Sequence, residues 1–358
     1  MESMKKLCFF LLCLLSYTTA LLAQDFSFSQ FYDQPILRNP SLAGLFEGDL
    51  RVSGIFRNQW QSVTVPFQTS GLSVEYRRPL RSPDYDGQKL GGYLTLGGQF
   101  TNDVAGDIRL KRTQVFPVIN YTQPLNENSS LSVAFMPGWV NSQFDIEKMR
   151  FDDQYVAGMF NPGNPTQQIF SRTGVGYWDL STGVTFKTSF GESNDFYFGA
   201  ALFHVNNPKI AFYANDEFTR LNRKYTINAG LSLKTSDLHR LIMYADYFHQ
   251  GGHRQFIGGA LYGISVYSDY NSQDETVLYF GGFYRWNDAL IPVVKLNFNK
   301  FSLGCSYDVN NSKLKTASQA RGGFELNLNF RTYLNITNYQ AKKVRCVGFG
   351  ESVKWHGY

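Results

Sequence analysis

The chain has 358 residues, with 34 basic and 29 acidic side chains and a formal net charge of +5. So small and dispersed an excess gives no case for a nucleic-acid-binding protein, which needs a clustered basic patch. Mean hydropathy is −0.27, and beyond residue 24 no stretch approaches the ~20 apolar residues of a membrane-spanning helix, which excludes a helical membrane protein.

Residues 1–23 have the layout of a secretory signal peptide. Lys5 and Lys6 precede an apolar run from Leu7 to Leu15, and Ala23 before Gln24 is the expected cleavage point. The run is too short for an anchor, and Cys13 behind Leu11 and Leu12 does not suit a lipoprotein. Cleavage leaves Cys305 and Cys346, too few and too far apart for a disulfide framework, so no structural disulfide is expected. An exported chain in which aromatics make up 16% and Gly reaches 32 suits an all-β architecture.

Residues 24–48 read as an N-terminal periplasmic segment. Within it Asn39-Pro40 favours an extended residue followed by a turn, and Gly44 permits positive φ. The segment serves as a turn into the first strand, as a surface shown to a partner, or as a piece folded into a lumen.

From residue 49 onward the recurring signal is alternation with period two. Strands are predicted at 49–57, 69–77, 90–100, 112–121, 130–141, 176–187, 196–205, 224–233, 240–248, 255–266, 276–284, 291–298, 301–308 and 322–331. In the last of these, Glu325, Asn327, Asn329 and Arg331 are expected to face a lumen, and Phe324, Leu326, Leu328 and Phe330 lipid. The segments 196–205 and 276–284 are apolar on both faces, as a filled lumen would require. The strand count is even, and many segments have the ~9–11 residues of a tilted strand crossing a bilayer. The connections 142–175 and 206–223 follow odd strands and are long, whereas those after strands four, six, eight and twelve are short. A soluble sandwich gives no reason for that parity, but an outer-membrane barrel does. The connection 78–89 departs from it.

The expected fold is therefore a single all-β transmembrane barrel of the outer-membrane type, about 14 antiparallel strands over 49–331. Its termini are periplasmic, and residues 332–358 form a C-terminal periplasmic tail. Tyr155, Phe160 and Phe170 in the long external loop are candidate partner contacts, since aromatics dominate interface hot spots. Phe349 and Trp355 in the tail are candidates for docking, because disordered ends are usually aromatic-poor.

Little points to chemistry. Asp246, His249 and His253 have helical metal-ligand spacing, but they fall on a strand and a Gly251-Gly252 turn, so two solvated loop histidines are expected. No nucleophile elbow or phosphate-binding loop occurs, and the Gly pairs at 91–92, 97–98, 258–259 and 281–282 read as strand bends. No catalytic site, metal or cofactor is expected.

The opening of the mature chain carries a specific likeness. Gln24-Asp25-Phe26-Ser27-Phe28-Ser29-Gln30-Phe31-Tyr32 is followed by Asn39-Pro40-Ser41-Leu42-Ala43-Gly44. This resembles the PorP/SprF family of type IX secretion outer-membrane proteins, in which a Ser-Gln-aromatic stretch runs into an Asn-Pro-Ala-x-Ala-Gly-like turn. Ser41 stands where that family usually has Ala. The likeness extends to Gly322-Gly323-Phe324-Glu325-Leu326, but Cys346-Val347-Gly348-Phe349 replaces the family's Cys-Pro-aromatic tail. The resemblance implies a fourteen-stranded barrel serving secretion or cell-surface attachment of adhesins and other cargo, in some relatives for gliding motility. Its partners would be outer-membrane lipid, periplasmic secretion-machinery proteins and a secreted adhesin, with Asn39, Pro40, Ala43 and Gly44 as motif residues. The alternative is a passive porin.

Overall fold

The structure is a computed structural model that describes residues 25–59, 65–80, 91–156, 158–161, 163–168, 172–191, 193–212, 219–268, 275–312, 321–334 and 349. Fourteen long strands run β1 (Leu50–Gln59), β2 (Phe67–Pro79), β3 (Tyr93–Ala105), β4 (Leu110–Pro124), β5 (Ser129–Gln143), β6 (Gly174–Phe190) and β7 (Asn194–Phe203). They continue as β8 (Lys224–Lys234), β9 (His239–Gln250), β10 (His253–Ser268), β11 (Glu275–Arg285), β12 (Ala289–Phe298), β13 (Phe301–Asn310) and β14 (Arg321–Thr332). Each pairs antiparallel with its sequence neighbour, and β14 pairs with β1 from Leu50↔Thr332 to Gln59↔Gly323, closing the barrel. Closure satisfies every wall strand on both edges, the condition for a sheet to cross hydrocarbon.

The alternation predicted from sequence is the alternation of the wall. In β13 exposed and buried residues alternate without a break from Phe301 to Asn310. In β14 Glu325, Asn327 and Asn329 are buried inward, while Leu326 and Leu328 are 45% and 53% exposed on the outer face. Cys305 also lies on the outer face. All fourteen predicted strands are present, with ends shifted by a few residues. One local reading is corrected: Gly91 and Gly92 lie ahead of β3 and not within it.

Odd-numbered strands run from the end where the chain enters β1, here called the entry end, to the far end. The connections 144–173 and 204–223 both stand at the far end. The first carries a two-stranded ribbon, Tyr155–Val156 with Met159–Phe160.

The largest departure from expectation is in residues 25–49. The segment read from sequence as periplasmic fills the lumen as a compact thread. It contains a 3-10 turn (Phe31–Asp33), a single helical turn (Pro35–Arg38) and a second 3-10 turn (Pro40–Leu42). Ser29, Gln30, Ile36 and Asn39 have no accessible surface. This explains the strands that read as apolar on both faces. Tyr197, Ala201 and Phe203 of β7 and Val277, Tyr279 and Phe283 of β11 point inward. Phe31, Tyr32 and Leu42 of the thread pack against the β7 and β9–β12 side, and Ile36 and Ala43 against the β4–β7 side.

Candidate functional site: a lumen filled by the amino-terminal thread

The thread starts at the far end. Asp25 ion-pairs there with Arg112 (3.1 Å) near the start of β4 and with His204 (2.8 Å) just beyond β7, and its backbone N–H donates to Gln250 (3.2 Å), the last residue of β9. His204 is held on its other ring nitrogen by Asp179 at 2.8 Å. Burial alone would raise the Asp25 carboxyl, but the charges of His204, Arg112 and Lys224 hold it well below its usual range. Burial likewise lowers the His204 imidazole, yet the Asp25 charge and its bonds to Asp179 and Asp25 push it up to about 9. His204 also has φ +57°, a left-handed conformation that a non-glycine residue holds only when its surroundings fix it.

Lower in the lumen the bonding becomes denser. Glu325 accepts the backbone N–H groups of Ser29 (2.7 Å) and Gln30 (2.8 Å), while Arg57 bridges Glu325 and Asp308 at 3.1 and 2.9 Å. Asp33 meets Lys295 at 2.7 Å. Arg38 grips Asp246 with two bonds, Nε–H at 2.7 Å and Nη2–H at 2.6 Å, and donates to the Tyr197 hydroxyl at 2.9 Å. Its guanidinium stacks over Phe31, Tyr197 and Tyr244. Buried charges cost several kcal/mol each unless paired in good geometry. In the Asp33–Lys295 and Arg38–Asp246 pairs one charge is on the thread and the other on the wall, so these are made only when both are in place.

The motif residues of the sequence belong to this thread. Asn39 caps the second 3-10 turn, its side-chain oxygen accepting Ser41 N–H (3.0 Å) and Ser41 Oγ–H (2.7 Å). Pro40 opens that turn, and the Ala43 carbonyl accepts from Asn120 at 2.5 Å. Gly44 adopts φ +82° and donates its N–H to Glu75 at 2.8 Å, and a Cβ there would come within 2.2 Å of Thr95 Oγ1. Only glycine combines that backbone with that clearance. Arg77 then caps the exit by donating to the Gly44 and Phe46 carbonyls at 3.3 and 2.7 Å.

The other predicted residues separate. Tyr155 and Phe160 pair across the ribbon with ring centroids 5.5 Å apart, and Arg150 lies over Phe160 at 5.0 Å. Phe349 is buried just inside the entry end, and Phe170 and Trp355 lie outside the described residues. Asp246, His249 and His253 share no helical face: the Gly251-Gly252 turn stands where the sequence put it, with His249 and His253 half-buried beside it. His249 and His253 stand at the ends of β9 and β10 around the tight turn, and Asp246 faces inward onto Arg38. Among the described residues no group of His, Cys, Asp and Glu could hold a metal ion. Sequence reasoning missed Glu75, Lys295, Asp308 and Arg285. Their signal was there: charged residues on the inner face of strands whose outer face is apolar.

A closed fourteen-stranded antiparallel barrel with an apolar outer face defines the chain as an outer-membrane β-barrel protein. A family model described as the type IX secretion system membrane protein PorP/SprF matches residues 20–330. The chain belongs to that family, and its membership makes it an outer-membrane component of type IX secretion. No curated protein matches it in sequence. Among solved structures it is similar to the CymD monoaromatic hydrocarbon channel, with TM-score 0.44 and 9% identity over 84% of this chain and 93% of that one. It is similar also to BamA of Haemophilus ducreyi lacking POTRA domains 1–3, with TM-score 0.35 and 10% identity over 79% and 71%. For the autotransporter NalP translocator domain of Neisseria meningitidis the values are 0.32 and 10% over 84% and 96%.

Proposed function

We propose that this barrel supports secretion or cell-surface attachment of adhesins and other cargo through protein contacts, without conducting solutes and without catalysis. The observation that carries the reading is the thread. A passive porin needs an open lumen, whereas this one is occupied along its length by residues 25–49, tied to the wall by buried ion pairs. The barrel then offers its two ends as working surfaces. Outer-membrane barrels put long loops outside and short turns in the periplasm, so the far end, with 144–173 and 204–223, faces the exterior. There Tyr155 and Phe160 are available to cargo, and adhesin display for gliding is one form of that role. At the entry end the tail meets periplasmic secretion machinery, with Trp355 as a docking residue, while Phe349 docks on the barrel's own Tyr197 and Tyr244.

The test is a deletion strain complemented with the wild-type gene, in which the secreted fraction and surface adhesins are compared with and without the barrel. Loss of specific cargo from the surface on deletion, and its recovery on complementation, is the expected result. Purified protein in a planar bilayer should also lack a steady porin-sized conductance. Unaltered cargo together with a stable open channel would replace this reading with the porin.

A further inference from the structure

Phe349 occupies a slot that three adjacent wall strands build. Gly230 of β8 stands in register with Tyr197 of β7 on one side and Tyr244 of β9 on the other. With no side chain at Gly230, the Tyr197 ring leans over it and the tip of the Phe349 ring reaches it, for a Cβ there would come within 2.2 Å of Tyr197 and 2.9 Å of Phe349. The Phe349 ring lies edge-on to Tyr197 at 4.6 Å and 78°, and meets Tyr244 at 5.7 Å. Edge-on and tilted arrangements at this spacing are the favourable geometries of aromatic pairs. Tyr197 lies three residues inside the start of β7, so the slot stands just within the entry end. It borders a cavity lined by Tyr32, Leu42, Phe46 and Asn329. Asn329 Oδ1 is buried and without a hydrogen-bond partner among the described residues, so the wall beside the slot offers an acceptor to a donor such as a peptide N–H.

We propose that the Tyr197–Gly230–Tyr244 row is a binding site for an aromatic side chain carried on a peptide, filled in the resting protein by its own Phe349 and open to competition from an aromatic peptide of a partner. The inference does not depend on the secretion role, since a slot of this kind would work in any barrel. Phe349 is tethered and so competes at an effective concentration on the order of millimolar. An external peptide that binds at roughly 0.1 mM would therefore bind wild-type protein about tenfold more weakly than protein whose slot is empty.

The probe is a fluorescein-labelled peptide with the sequence of residues 344–353, serine replacing Cys346, titrated into full-length protein in detergent micelles by fluorescence anisotropy. Heat-modifiable gel migration reports the folded barrel for each variant. Phe349→Ala should bind the peptide about tenfold more tightly than wild type, and a peptide with alanine at the phenylalanine position should bind neither. Tyr244→Leu in the Phe349→Ala background should fold and abolish binding. Equal binding of the two peptides, no binding to the Phe349→Ala protein, or undiminished binding to the filled slot would each overturn the proposal.

Discussion

The Arg38–Asp246 pair gives the strongest test that the thread is a built part of the barrel. Both side chains are almost fully buried, at 6% and 11% exposure, and they share two short hydrogen bonds. Replacing Arg38 with Met leaves the Asp246 carboxylate without its bidentate partner and the Tyr197 hydroxyl without a donor. Breaking one side of a buried pair in this way costs about 3–5 kcal/mol. Asp246→Asn should cost a similar amount, because a buried guanidinium then keeps only one neutral acceptor where it had a charge. The double variant removes both charges and retains similar volumes, and exchange of a buried pair for neutral groups is often close to neutral. It should therefore lie within about 1–2 kcal/mol of wild type, with a coupling energy of at least about 2 kcal/mol. The assay is urea unfolding of the purified barrel in micelles, followed by tryptophan fluorescence, for the four members of the cycle. Single costs below about 1 kcal/mol, or costs that simply add, would show that the thread is not held by this pair.

Three further outcomes follow from the same geometry. Leu326→Arg should impair membrane assembly by about 2–4 kcal/mol while Asn327→Arg is better tolerated, and equal folded yields for the two would refute the assignment of faces. An epitope inserted at Asn164 should be labelled by antibody on intact cells, and labelling only after permeabilisation would invert the barrel. His204 has its pKa raised to about 9 from an ordinary 6.5, so its contribution is complete below about pH 6.5 and is lost as pH rises through about 9. The difference is worth roughly 3 kcal/mol, and His204→Gln should abolish the alkaline fall in unfolding midpoint that wild type shows; an identical fall in the variant would refute the clamp.

The wall was legible in the sequence because a half-buried strand writes its geometry directly into period two. Phe324 to Arg331 and Tyr225 to Lys234 announce both the strand and its faces. The thread was not legible as lumen filling, for a physical reason. Ser29, Gln30, Asp33, Gln34 and Asn39 carry no strand or helix period, and a polar residue hydrated by water looks the same as one satisfied by protein. The partner that tells them apart is remote, as with Ser29 and Glu325, which are 296 residues apart in the chain. The Asn39-Pro40 turn and the Gly44 conformation were readable locally, but their surroundings were not. Aromatic content marked Phe349 as a docking residue, yet the site it fills depends on Gly230, which reads in sequence as an ordinary strand glycine.

The direction of the thread also decides which end of the barrel the start of residues 25–49 reaches. Asp25 stands at the far end while Leu50 begins β1 at the entry end, so residues 25–49 run the length of the pore before the wall begins. The seam between β1 and β14 borders that thread directly, since Glu325 of β14 accepts from Ser29 and Gln30. A bulky fusion joined directly to Asp25 would crowd the ring of Arg112, His204 and Gln250 at the far end, even though it alters no residue of the wall.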